Sequence, residues 1–157
     1  MISETMKIIG PELQREKDVE AILRSLPRWF GIEKALRMYV ADSALKPTFA
    51  TEGDGHLTGF LTLTRHFPQA WEVHCIAVAA AHRNAGVGSA LLAHAEHFVK
   101  SQGARFLQVK TVAGTSSSPE YAETREFYAA RGFTPLEVFP RLWDPHNPAL
   151  QLIKLLA

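Results

Sequence analysis

Cysteine is almost missing from this 157-residue chain: Cys75 stands alone. No disulfide can form within it, and no cysteine cluster can hold zinc. Long apolar runs are missing too, since none approaches the ~18 residues that a membrane-crossing helix requires. Neither sign of charge is in excess, with 17 Lys and Arg against 16 Asp and Glu. That balance argues against nucleic acid or a membrane surface as partner. No basic start followed by an apolar stretch is read near Met1, so a secretory signal is not expected and a cytoplasmic location is. Repeats, low-complexity runs and linkers are absent as well, which leaves residues 1–157 as one domain. What is there is an ordinary globular composition, 46% hydrophobic and 21% charged, sufficient for a single buried core.

The hydrophobic pattern divides the chain into alternating elements. Met6 to Gly10 reads as a first strand. Asp18 to Leu26 carries a helical stripe (Val19, Ile22, Leu23, Leu26), with Asp18 in the N-cap role and Pro27 ending it. A second helix follows from Ile32, through Leu36, Tyr39 and Val40, to near Ser43. Thr48–Thr51 and His56–Arg65 read as strands around the hairpin signal Glu52-Gly53-Asp54-Gly55. His66 to Gln69 reads as a turn, and Ala70–Ala79 as the next strand. These three strands predict an antiparallel meander.

After that strand comes a glycine-bearing loop, Arg83-Asn84-Ala85-Gly86-Val87-Gly88, and then a helix that puts Val87, Leu91, Ala95, Phe98 and Val99 on one face. Two glycines at this point let the backbone approach a ligand closely. The free N–H groups and the dipole of the first helical turn favour an anion there. Gly103 stops the helix and Phe106–Val112 is the following strand, so the two strands should be parallel neighbours. Gly114 to Pro119 predicts a mobile loop, and Glu120–Arg131 a helix closed by Gly132 at C′. Thr134–Phe139 and Leu150–Leu155 read as closing strands, with FPRLWDPHNP between them as a loop. The glycine loop lacks the third glycine of a dinucleotide fingerprint and the Gly-Lys-Ser/Thr of a P-loop.

Two motifs together point further. Ile76-Ala77-Val78 followed by Arg83-Asn84-Ala85-Gly86-Val87-Gly88-Ser89 is similar to the Arg/Gln-x-x-Gly-x-Gly/Ala pyrophosphate loop of the GNAT superfamily of acyl-CoA N-acyltransferases. Phe127-Tyr128-Ala129-Ala130-Arg131-Gly132-Phe133 resembles that family's FYxxxGF. The resemblance implies the GNAT fold, an α/β domain with a mixed, mostly antiparallel sheet of six to seven strands and helices on both faces. It implies acetyl-CoA as cosubstrate, and transfer of its acetyl group to a primary amine, on a small molecule or a peptide, by direct attack in a ternary complex. Backbone groups of Ile76, Ala77 and Val78 would meet the pantetheine arm. Backbone N–H groups from Arg83 to Ser89 (Arg83, Asn84, Ala85, Gly86, Val87, Gly88, Ser89) would hold the pyrophosphate. Tyr128 would be the general acid toward the CoA sulfur, and Tyr121 would line the CoA channel in place of the family's common asparagine.

For the base, strand alternation sets Glu72, His74, Ile76 and Val78 on one face and Cys75 on the other. Glu72 holds the position of the base in glutamate-dependent members and is the first choice; His74 and a chain of waters are the alternatives. Trp29 and Phe30 fall where the family shapes its acceptor pocket, and Thr111 ends the parallel partner strand facing the cleft. His94 and His97 lie at i, i+3 on a helix without a third ligand, so no metal is expected. A CoA-binding sensor without turnover is the alternative function. Open sheet edges admit pairing of two copies as a homodimer.

Overall fold

The computed structural model describes residues 6–115 and 118–157. In chain order the elements are β1 (Lys7–Ile9), α1 (Glu16–Arg24), α2 (Glu33–Leu45), β2 (Thr48–Gly53), β3 (His56–Phe67) and β4 (Ala70–Val78). A 3-10 turn at Ala80–His82 leads to α3 (Val87–Ser101), β5 (Phe106–Val112), α4 (Pro119–Ala130), β6 (Thr134–Asp144) and β7 (Asn147–Leu155). The seven strands form one sheet in the order β1-β2-β3-β4-β5-β7-β6. The β2-β3-β4 meander is antiparallel, whereas β4 and β5 run parallel.

Each face of the sheet carries two helices. Val19, Ile22, Leu23 and Leu36 of α1 and α2 bury against Ala50, Phe60, Cys75 and Ala77. On the other face Leu91, Leu92, Ala95 and Val99 of α3, with Tyr128 of α4, bury against Leu61, Leu63, Trp71, Val73 and Leu107. The period-3.6 stripes read from the sequence are these buried faces. The β2–β3 connection is a two-residue turn with positive φ at Asp54 (54°) and Gly55 (80°), which matches the twist of the strands it joins.

Several boundaries differ from the sequence reading. Asp18 is not the N-cap of α1: Arg15 holds that position, and Asp18 sits in the first turn, where its carboxylate accepts from Arg15 Nε at 2.6 Å. A carboxylate there complements the helix dipole without capping it. The helix also ends at Arg24, before Leu26. The β3–β4 turn is shorter than His66–Gln69, because β3 continues to Phe67. The predicted loop Phe139–Pro148 is mostly strand, with the β6–β7 turn confined to Pro145-His146. Pro140 is tolerated because β6 is an edge strand, and the pairing is irregular between Phe139 and Asp144. Asp144 Oδ1 then accepts from the N–H groups of His146 and Asn147, which closes the turn. In the expected loop Gly114–Pro119, Ser116 and Ser117 lie outside the described residues; Ser118 caps α4 and Pro119 is its first residue.

Candidate active site

The site is built where two parallel strands separate. The β4–β5 ladder runs from Ala70 opposite Phe106 to Val73 opposite Val109 and stops there, while β5 stays paired to β7 as far as Val112 opposite Ala149. Ala79 N–H donates to Thr58 O at 2.9 Å, so the antiparallel alternation turns Ala77 and Cys75 toward β3. The N–H and C=O groups of Ile76 and Val78 therefore face the gap that β5 has left. A cleft of about 870 Å³ opens at this split, lined by both faces of the sheet.

One end of the gap leads to the N-terminus of α3. Gly86, with φ of 81°, stands at its N-cap in the left-handed region, and Asn84 shares that region with φ of 63°. A side chain at Gly86 would meet nothing within 4 Å, so the glycine answers a backbone need. Gly88 lies against α4, where a Cβ would stand 3.4 Å from the Phe127 ring, at the near limit of ordinary contact. Val87 is buried and Ala85 packs on the same core, which anchors the loop to the sheet. Ser89 Oγ accepts from the Arg131 guanidinium, which lies 3.9 Å over the Phe127 ring. Arg83 stacks at 4.5 Å over Trp29 and pairs with Glu123 at 3.4 Å.

Tyr128 lines the cleft from α4 and is 3% exposed. Burial pushes its phenol well above the ordinary range, which keeps the proton on the oxygen. Tyr121 donates its hydroxyl hydrogen to Trp29 O at 3.0 Å, and Trp29 Nε1–H donates to Thr124 Oγ1 at 3.3 Å. These two bonds tie the α1–α2 connector to α4 across the cleft. Phe30 sits edge-on to Tyr39, which burial pushes up to about 12. Thr111 is buried and lines the cleft from β5.

The strand alternation expected for β4 is broken. Thr62 pairs with Cys75 but Leu63 pairs with Val73, so His74 is an extra residue in a bulge. One extra residue reverses every later side chain. Trp71 and Val73 accordingly share a core with Ile76 and Val78, while Cys75 and Ala77 join the core under α1 and α2. Glu72 and His74 thus do not share a face with Ile76 and Val78, and Cys75 lies on the Glu72 side, where burial raises its thiol pKa.

Both oxygens of Glu72 are engaged, by His66 Nε2 at 2.6 Å and by Lys110 Nζ at 2.9 Å. His74 Nε2 lies 2.7 Å from Asp42 Oδ2, and Tyr39 packs edge-on against its ring. A carboxylate accepts only, so in the neutral form of the ring Asp42 sets the hydrogen on Nε2 and the lone pair is on Nδ1. Asp42, Tyr39 and Lys110 were not candidates from the sequence. Asp42 lies 32 residues from its partner, and none of the three carries a local signal. The lining residues Leu142, Trp143, Asp144 and Asn147 were hidden in the supposed loop, whose Pro140 lies on the edge strand β6. Among the described residues no group of three His, Cys, Asp or Glu side chains is arranged to hold a metal. His94 instead packs against Phe49, with ring centroids 4.6 Å apart.

The sequence matches the model of the Acetyltransferase (GNAT) family over residues 16–133. No curated protein matches it. Solved structures do. One from Desulfovibrio desulfuricans, described as an acetyltransferase of the GNAT family, is 21% identical over 97% of this chain and 99% of its own, with a TM-score of 0.81. An aminoglycoside 6'-N-acetyltransferase complexed with coenzyme A is 19% identical over 95% and 97%, with a TM-score of 0.74. A GNAT family acetyltransferase from Elizabethkingia anophelis with acetyl-CoA bound is 16% identical over 98% and 99%, with a TM-score of 0.73. At these identities the likeness is one of fold.

Proposed function

The chain belongs to the GNAT family of acetyltransferases, and from that premise we propose that it transfers an acetyl group from acetyl-CoA to a primary amine by direct attack in a ternary complex. The observation that carries this reading is the split between β4 and β5, with unpaired strand backbone on one side, an anion cradle at its end and Tyr128 inside it. Acetyl-CoA supplies the acetyl group as a thioester, whose C–S bond breaks as the new C–N bond forms. The strand groups of Ile76 and Val78 suit an extended amide arm, and their N–H donors suit an oxygen on which negative charge develops. The cradle from Arg83 to Ser89 suits a pyrophosphate, with the Arg131 guanidinium beside it as a further cation.

Proton transfers complete the chemistry. His74, oriented by Asp42, takes a proton from the incoming ammonium on Nδ1. Tyr128 gives its hydroxyl proton to the departing sulfur and regains one from the new amide nitrogen. Glu72 lines the same cleft and is the alternative base, but its two engaged oxygens favour a role in holding Lys110. Trp29 and Phe30 form the acceptor side of the cleft.

The test is acetyl-CoA binding by calorimetry beside NADH and ATP, followed by thiol release with a panel of amines. Binding of acetyl-CoA alone, with amine-dependent release, is expected. Tyr128→Phe should cut turnover roughly 100-fold while the affinity for acetyl-CoA changes little. Tight binding without release from any amine would support a sensor and overturn the enzyme reading.

A further inference from the structure

Four large apolar side chains that line the cleft are also open to solvent: Ile32 (60%), Met38 (47%), Leu142 (52%) and Trp143 (46%). They come from two distant parts of the chain, the start of α2 and the β6–β7 hairpin. Single exposed apolar residues are ordinary, but several converging on one concave site mark a recognition surface. Phe30 and Tyr39 continue the same apolar wall inward toward His74.

The charges of the cleft point the same way. Of its three lining carboxylates, Glu72 pairs with Lys110 and Glu123 with Arg83, which leaves Asp144, held by the amides of its own turn and by Asn147, as the one whose charge no cation among the described residues balances. Asp42, behind His74, is likewise engaged. A polycationic acceptor needs free carboxylates to replace the water around each extra ammonium, because an unpaired charge in a partly apolar cleft is costly. Lys110 and Arg83 would add repulsion.

Resting on the acetyl-transfer reading, we propose that the acceptor is a small primary amine with a single ammonium group on a flat, apolar body, as in an arylalkylamine. The apolar body lies between the α2 residues and the hairpin tip, and the nitrogen reaches inward to His74. Trp143, Met38 and Ile32 set the specificity by excluding water from that body. The contribution of one such buried group corresponds to roughly 10- to 100-fold in kcat/KM.

Thiol release with acetyl-CoA is to be compared for 2-phenylethylamine, tryptamine, spermidine and kanamycin. The expected result is a kcat/KM for the two aryl amines at least roughly 100-fold above that for the polycations. Trp143→Ala should raise the KM for 2-phenylethylamine roughly 10-fold, with the KM for acetyl-CoA unchanged. Met38→Lys, at a half-exposed helix position, should do the same without disturbing the hairpin. Efficient turnover of spermidine or kanamycin with the aryl amines silent would overturn this inference and leave acetyl transfer standing. An unchanged KM in both variants would also overturn it. Release with none of the four amines, despite bound acetyl-CoA, would overturn this inference, and only silence across the wider amine panel would overturn the transferase reading itself.

Discussion

At the scale of single residues, the candidate bases differ in what holds them rather than in their distance along the strand. Glu72 and His74 were separable in the sequence only by analogy of position. In the fold, Lys110 and His66 take both oxygens of Glu72, whereas Asp42 takes one nitrogen of His74 and leaves the other free. His74→Gln should therefore lower kcat by roughly 100-fold, and Glu72→Gln by less than about 10-fold. Steady-state rates of the two variants at saturating acetyl-CoA check this, and the reverse order would hand the role to Glu72. Tyr128 was legible from FYxxxGF, but the burial that keeps its proton on the oxygen was not.

At the scale of elements, the stretch from β4 to α3 lines the cleft and supplies the cradle at its end. Its helix, its parallel partner and its glycine loop followed from composition and spacing, because they depend on local chemistry, whereas the left-handed φ of Gly86 came with the fold. The β4 bulge did not, since a bulge is a mismatch between two strands and neither strand alone records it. Gly86→Val tests the cradle. With φ of 81° and nothing within 4 Å of a new Cβ, the cost is backbone strain on the order of 1–2 kcal/mol. Acetyl-CoA affinity should fall more than 10-fold as the loop amides turn away, and Gly86→Asn, which tolerates this region, should retain more. Calorimetry and thermal melts of both variants separate strain from lost binding.

At the scale of the whole molecule, the buried phenols predict an alkaline limit to stability. Burial pushes Tyr39 up to about 12, and Tyr128 is raised by the same cause. An unfolded phenol ionises near pH ~10. Both folded values are raised, so below pH ~10 neither state has lost the proton and the contribution to stability is complete. Above it the unfolded chain releases protons that the folded one keeps, and stability falls as pH rises toward 12. Urea midpoints should begin to fall near pH ~8.5, where the thiol of Cys75 ionises in the unfolded chain alone, and fall more steeply above pH ~10, with the steep part shallower in Tyr39→Phe. A midpoint that stays flat to pH ~11.5 would show that these phenols are not held neutral by the fold.

The helical stripes, the strands of the meander, the βαβ unit and the two motifs were all readable in order along the chain, though the alternation within β4 was not. They rest on periodicity, on turn residues and on the geometry of a helix start, which neighbouring residues settle among themselves. The β6–β7 hairpin was misread because prolines signal a break locally, yet Pro140 is admitted on the open edge of β6 and Pro148 at the start of β7. The Asp42–His74 bond, the Glu72–Lys110 pair and the apolar lip of α2 and the hairpin belong to the tertiary structure alone. Each joins residues separated by tens of positions, and only the packing of two layers around a splayed sheet decides which of them meet.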